Sequence, residues 1–277
     1  CHFEGNTLSG NTVLQLEYSN SLVIHDNKVL DFYYAFLMYE SNNAQITSNE
    51  IIKPTSSLFG LRQNYWFFNA NSHSALIEDN VFSIAPGSES NSNWKIEAFQ
   101  SVIRNNSFIV DTPEDPYDNE YYRIINADES VISENTFSLT DNAYDHLTLI
   151  TTQGSENNRS VVENNIINIV SQGYQNESYQ GVIRLYGHTD FINNTLNRQV
   201  ASWGSDNQAL FVSSGAENII SGNTFFDSQD DRTVYFSDSH NSIFTNNVIH
   251  TERNNAAIEL SNSDVLISHN LIESEGR

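Results

Sequence analysis

ISENTF, at Ile132–Phe137, has a frame, apolar-x-x-Asn-x-apolar, that returns from one end of the chain to the other. Before it stand FEGNTL at Phe3, IHDNKV at Ile24, ITSNEI at Ile46, IEDNVF at Ile77 and IRNNSF at Ile103. After it come VENNII at Val162, FINNTL at Phe191, ISGNTF at Ile220, FTNNVI at Phe244 and ISHNLI at Ile267. The repeated asparagines are Asn6, Asn27, Asn49, Asn80, Asn106, Asn135, Asn165, Asn194, Asn223, Asn247 and Asn270. Their spacing runs from 21 to 31 residues, so the unit is fixed at its motif and takes its insertions in one loop.

Each unit also carries an earlier run of alternating apolar residues, such as LQLE at Leu14, LTLI at Leu147, VIRL at Val182, ALFV at Ala209, TVYF at Thr233 and AIEL at Ala257. A period of two is the signature of a strand. One unit therefore reads as strand, short polar turn, strand, Asn-bearing turn, third short strand, variable loop, which is one coil of a parallel β-helix. The asparagine suits the bend because it tolerates left-handed backbone and its amide can bond main-chain groups inside the coil. Stacked coils then pile Asn on Asn as a ladder. Eleven motifs at a strand spacing of roughly 4.8 Å predict a rod of about 50 Å with no linker, one domain over residues 1–277. Pro54, Pro86, Pro113 and Pro116 all fall in the variable loops, as they must if the strands are to keep their donors. No amphipathic helix stands at either end to cap the coil stack.

Composition narrows the function. With 38 asparagines, 38% hydrophobic residues and 29 Phe and Tyr among 277 residues, the chain holds enough apolar matter for a core. Twelve basic against 35 acidic residues give a net charge of −23, which repels nucleic acid and anionic lipid. No apolar stretch is long enough to span a bilayer as a helix. A start at Cys1 without Met or a leader reads as a mature or trimmed piece, with further domains of the same polypeptide expected, and a lone cysteine forms no internal disulfide.

In a solenoid, chemistry sits on outward side chains of a strand bordered by the variable loops, and alternation sorts in from out. Ile183 and Leu185 read inward, leaving Arg184 and Tyr186 outward; Trp94 and Ile96 read inward, leaving Lys95 and Glu97 outward. The coils between contribute Arg123 and His146, and outward Phe211, Tyr235 and Glu259 follow. Three of the few basic residues, Lys95, Arg123 and Arg184, thus gather near the middle of the rod, as catalytic candidates or as surface ion pairs worth under about 1 kcal/mol each. His188 and Asp190 follow in the segment YGHTD, where a histidine can act as a base. Tyr186 and Tyr235 have the ring face and polar tip that suit a sugar. The loop DTPEDPYDNE carries Asp111, Glu114, Asp115, Asp118 and Glu120; Asp111, Asp115, Asp118 and Glu120 are a candidate Ca²⁺ site through hard oxygen ligands, or else a solvated acidic loop. Asp227, Asp230 and Asp231 form a second acidic segment. No phosphate loop, zinc spacing or nucleophile elbow is present.

The apolar-x-x-Asn-x-apolar beat from Phe3 to Ile272 resembles the pectate-lyase-like right-handed parallel β-helix superfamily. That resemblance implies a secreted or cell-surface carbohydrate-active protein with polysaccharide as its partner. More narrowly the chain is similar to the alginate lyase and chondroitinase B polysaccharide lyase family, in which Lys and Arg on neighbouring coils carry out β-elimination while Ca²⁺ neutralises the uronate. The resemblance assigns those roles to Lys95, Arg123 and Arg184, with Glu97, His146, Tyr186, His188 and Tyr235 as substrate contacts. The family's paired carboxylates before an Asn-Lys-Ser segment are missing, and its Leu-Arg-His-Gly stretch appears only as Ile183, Arg184, Leu185, Tyr186, Gly187, His188. Some members carry a second β-helix without the active site, and the chain matches that description too.

The leading expectation is a lyase cleaving uronate polysaccharide. The alternative is a noncatalytic carbohydrate-binding or structural module, such as an accessory domain, an adhesin or a tailspike shaft. A third reading, glycoside hydrolysis, needs two carboxylates in the groove, for which Glu97 with Asp128 is the pair to test.

Overall fold

A computed structural model describes residues 1–17, 20–39, 42–53, 68–84, 94–111, 121–141, 146–171, 181–200, 208–213, 217–228, 232–252 and 256–274. Every regular element among them is a β-strand, and every pairing is parallel to a strand of a neighbouring coil. The chain is a parallel β-solenoid. The four prolines lie outside the described residues.

Three faces surround the core. The strand that leads into each ladder asparagine joins an eleven-stranded sheet running from His2–Glu4 to Val265–Ser268. The strands that follow the asparagines form a second face, and the strands that open each coil form a third, here called the pre-ladder face. The long strands Thr7–Glu17 and Lys28–Tyr39 run through both of the latter and join them into one nineteen-stranded assembly.

Register is held from coil to coil, with shifts only between Ser9 and Gly10 and between Glu97 and Phe99 among the described pairings, since a slip of one residue would turn the apolar side chains to solvent. Ile103, Ile132, Val162, Phe191, Ile220 and Phe244 stack in one inward file, all fully buried. On the post-ladder face Phe82, Phe108 and Phe137 stack with ring centroids 4.9 and 4.7 Å apart and planes within 9° and 8°. Like rings on successive rungs face each other at the strand spacing itself, so the rung repeat and the stacking distance reinforce one another.

The ladder runs unbroken through all eleven asparagines. Each of the ten from Asn6 to Asn247 donates both its backbone N–H and its Nδ2 to Oδ1 of the asparagine on the next coil, at 2.8–3.1 Å. The second Nδ2 hydrogen reaches back to a carbonyl, as from Asn135 to Ile103 O and from Asn165 to Ile132 O, both at 2.9 Å. A buried amide with all its capacity used stabilises the corner rather than costing it.

One expectation is corrected here. The left-handed residue at the corner is not the ladder asparagine but the one before it: Asp26, Ser48, Asp79, Asn105, Glu134, Asn164, Asn193, Asn246 and His269 have φ of 53–59°, with Gly5 and Gly222 at 68° and 69°. The reversal at that residue turns the following amide inward, where the ladder needs it. Aspartate, asparagine, serine and glycine there tolerate left-handed backbone, and they were visible as the polar position within the motif.

A shorter polar series marks the other corner. Ser101 N donates to Ser130 Oγ at 3.0 Å, Thr189 N to Asn218 Oδ1 at 3.1 Å and Asn218 N to Ser242 Oγ at 3.2 Å. Where this corner widens beside Ser155–Arg159, Gly154 lets two coils touch: a Cβ there would stand 2.0 Å from His188 O and 2.6 Å from Ser160 N.

The second inward file of the post-ladder face changes character along the rod. It reads Val110, Leu139 and Ile169, then Arg198, Asp227 and Thr251. Arg198 Nε and Nη2 donate to Asp227 Oδ1 and Oδ2 at 2.9 and 2.7 Å, with both side chains wholly buried. Asp227, expected in an acidic loop, is therefore a core residue at the end of a strand; Asp230 and Asp231 lie outside the described residues. On the last described coil Ile267 and Ile272 hold core positions yet are 41% and 46% exposed, whereas Phe244 and Ile249 one coil earlier are fully buried.

Candidate functional site

The pre-ladder face carries the residues that alternation placed outward. Ile96, Ile125, Ile150, Ile183, Leu210 and Val234 form its inward file, all fully buried. The neighbouring outward file reads Glu97, Asn126, Thr151, Arg184, Phe211, Tyr235 and Glu259 in unbroken register. A second outward file, two residues on, holds Asp128, Gln153, Tyr186, Ser213 and Ser237.

Its aromatic half is built tightly. Tyr186 meets the ring of Phe211 edge-on at 6.4 Å, and Phe211 lies 5.7 Å from Tyr235 at 42°. The guanidinium of Arg232 sits 4.5 Å above the Tyr235 ring while its Nη1 bonds Glu259 Oε1 at 3.0 Å. A cation held over one ring face fixes that tyrosine at small entropic cost. All three rings remain partly exposed. Each is a flat apolar surface with polar neighbours, the chemistry that a pyranose with its C–H face and hydroxyl rim matches.

The three basic candidates occupy three different files. Arg184 belongs to the Glu97 file; Lys95 lies two residues before Glu97; Arg123 pairs with Trp94 and Thr148, three residues before Asn126. On the coil after Lys95 its file continues with Ile124, which is fully buried. Arg184 is only 8% exposed, its Nε directed at Gly181 O at 3.4 Å. The side chains of Lys95, Arg123 and His146 lie outside the described residues; the backbone places His146 beside Tyr121 at the upstream end of its strand.

His188 follows Gly187, whose φ of 58° makes the turn into the ladder strand. Its Nδ1 is 3.7 Å from Glu217 Oε2, and the ring is 20% exposed. It stands at the corner rather than among the aromatic rings. Asp190 opens onto the ladder sheet and pairs with Arg159.

Two carboxyls face outward one coil apart. Glu97 registers with Asn126, and Asp128 lies two residues further along that strand. Burial raises Glu97 above the ordinary carboxylate value. Burial likewise raises Asp128, more than the Gln153 N–H donating to its Oδ1 at 2.9 Å lowers it, with the Glu129 charge adding to the rise.

The Ca²⁺ candidates are not brought together by any described geometry. Asp111 ends the strand Ser107–Asp111 with its side chain outside the described residues, and Asp115, Asp118 and Glu120 lie wholly outside them. Among the described residues no three His, Cys, Asp or Glu side chains converge as metal ligands. No described helix is long and apolar enough to cross a membrane.

Sequence reasoning missed the Phe226–His250 stack on the post-ladder face, with centroids 4.8 Å apart and planes within 4°. The signal lay in the motifs themselves, where the residue after the second apolar position is Phe226 in one coil and His250 in the next.

No protein-family model matches the chain, and no curated protein is similar to it in sequence. Among solved structures, the surface protein and adhesin PfbA of Streptococcus pneumoniae is similar over 100% of this chain and 90% of its own, with a TM-score of 0.51 at 10% identity. A second structure of that surface adhesin covers 96% of this chain and 71% of its own, with a TM-score of 0.42 at 11% identity. At such identities the first likeness speaks for the fold alone, and the fold is the parallel β-solenoid read from the motif.

Proposed function

We propose that the chain is a cell-surface, carbohydrate-binding β-solenoid module that seats a polysaccharide along the aromatic cluster of Tyr186, Phe211 and Tyr235, which spans two neighbouring outward files of one face. The observation that carries this reading is three partly exposed rings on three successive coils of one face, in contact with one another, with Tyr235 held by Arg232 and Glu259. The solved adhesin with the same fold supports a surface location. Elimination from a uronate needs a base, an acid and a neutralising cation around one sugar. Lys95, Arg123 and Arg184 stand in three files, and Arg184 is packed against the main chain, which favours binding over lyase chemistry. The net charge of −23 favours neutral over acidic glycans.

The test is a glycan array probed with the full chain, run beside an absorbance assay for unsaturated uronate on alginate, pectate and glycosaminoglycans. Binding to neutral glycans that Tyr235→Ala abolishes, with no unsaturated product, is the expected result. Product formation that Lys95→Ala, Arg123→Ala or Arg184→Ala abolishes would overturn it in favour of the lyase.

A hydrolytic reading has one observation in its favour: Glu97 and Asp128 share the outward face one coil apart, both with raised pKa values. Release of reducing ends from a bound glycan, lost in Glu97→Gln and Asp128→Asn, would establish it.

A further inference from the structure

The outward file of the post-ladder face passes through Asn168, Asn197, Phe226, His250 and Glu273 on five successive coils. Phe226 is 43% exposed, an unusual placing for a phenylalanine in the middle of a polar row. Its ring and that of His250 are parallel within 4° at 4.8 Å. Two coplanar rings side by side would interpenetrate at that distance, so the rings stand face to face. One face of Phe226 is covered by the imidazole, and the other looks along the file toward the Asn197 coil. Glu273 Oε2 accepts from His250 Nδ1 at 2.7 Å, which holds the imidazole as a backing for the phenyl ring.

A groove of about 440 Å³ lies along this row, and its walls include Asn197, Gln199, Phe226, Ser228 and Glu252. Arg198 and Asp227 also line it, but as a bidentate pair whose charges cancel. Among the described residues the remaining charges are the carboxylates of Glu252 and Glu273, with the imidazole tied to the latter. Among the described residues such a groove offers a uronate, sulfate or phosphate no cation other than the guanidinium paired with Asp227 and the imidazole held by Glu273. It offers one apolar ring face, two carboxamides and a hydroxyl, groups that both donate and accept. A neutral pyranose has the complementary form: a C–H face to lie on Phe226 and a rim of hydroxyls for Asn197, Gln199 and Ser228.

We propose that Asn197, Phe226 and His250 form a second saccharide subsite, which takes a neutral pyranose ring against Phe226 and lies on a different face of the rod from the Tyr186–Tyr235 cluster. The two subsites are read from separate observations. A glycan carried by both would bind with the advantage of linkage rather than as a sum of two weak contacts.

Titration calorimetry of the full chain with cellohexaose, mannohexaose, chitohexaose and an alginate hexamer tests it, using the wild type, Phe226→Ala, Phe226→Tyr, Asn197→Ala and Tyr235→Ala. The expected result is that a neutral hexamer binds, that Phe226→Ala weakens one class of site about tenfold or more, and that Phe226→Tyr restores it. The outward position of Phe226 should leave the melting temperature unchanged; should it fall, Asn197→Ala carries the same expectation. Failure of every neutral hexamer to bind, wild-type titration by both Phe226→Ala and Asn197→Ala, or tighter binding of the alginate hexamer overturns the proposal. Loss in Tyr235→Ala alone removes this subsite and leaves the pre-ladder reading intact, whereas loss in Phe226→Ala alone does the reverse.

Discussion

Replacing Asp227 by alanine removes one half of an ion pair that stands where the preceding coils place Val110, Leu139 and Ile169. The Arg198 guanidinium would lose hydrogen bonds of 2.9 and 2.7 Å while its side chain stays fully buried. Removing one partner of a buried pair costs about 3–5 kcal/mol, because the cost is that of an uncompensated charge rather than of the lost attraction. A chain of this length unfolds with an entropy of about 0.6 kcal/mol per kelvin, so the melting temperature should fall by about 5–9 °C if the rod melts as one unit. Solenoids open from a weakened repeat outward, so amide exchange should quicken first in Thr195–Val200, Thr224–Asp227 and Val248–Thr251, with Ser107–Asp111 protected as before. The double variant Arg198→Met with Asp227→Leu continues the aliphatic file and should recover most of the loss or exceed the wild type. Calorimetric melting and exchange mass spectrometry on the three proteins read both effects. A melting temperature for Asp227→Ala within about 2 °C of wild type, or a double variant less stable than Asp227→Ala, would refute the reasoning.

Other outcomes follow from features already described. Asn165→Ala strands the donors of Asn135 and the carbonyl of Ile132 inside the rod and should cost about 2–5 kcal/mol, while Asn270→Ala on the last rung should cost far less; denaturant midpoints compare them. A carboxyl whose pKa is raised by folding holds its proton longer in the folded chain, so Glu97 and Asp128 lower stability as pH climbs past their ordinary values of 4.5 and 3.8. Glu97→Gln and Asp128→Asn should therefore raise the melting temperature at neutral pH and leave it unchanged near pH ~3, and equal shifts at both pH values would contradict this. Gly154→Ala drives a Cβ into His188 O and Ser160 N and should lower stability markedly, whereas alanine at Gly5, where nothing lies within 4 Å, should disturb the rod only through its φ of 68°. Paired melting curves separate the two.

What could be read without coordinates was whatever repeats. The interval from Ile132 to Phe137, copied in every coil, announces two inward positions and a buried amide, and the structure stacks them in register. Alternation likewise sorted Ile183 from Arg184 and Ile96 from Glu97. What could not be read was whatever depends on register between coils of unequal length. Lys95 and Arg123 look equivalent in WKIEAF and YYRII, yet pairing sets Arg123 beside Trp94, because the position of a strand is fixed by its distance from the ladder corner and not by its own first residue. Arg184 has the parity of a surface residue but is covered, since neighbouring structure, not alternation, decides exposure on that face. Asp227 looked like part of an acidic loop because charge in a sequence suggests solvent; only the arginine one coil away, 29 residues earlier, makes an inward carboxylate tolerable.

The ladder also has a direction. From Asn6 to Asn247 each side-chain amide donates one N–H to the carbonyl oxygen of the next asparagine and never the reverse, so the column is a chain of aligned dipoles resembling a file of dominoes that can fall only one way. A coil joined ahead of Asn6 must donate and a coil joined beyond Asn270 must accept, while any coil spliced between them does both. Duplicating or excising a whole repeat therefore leaves every other rung chemically undisturbed, and reversing one would break two; growth of such a rod by gene duplication is permitted in one orientation only.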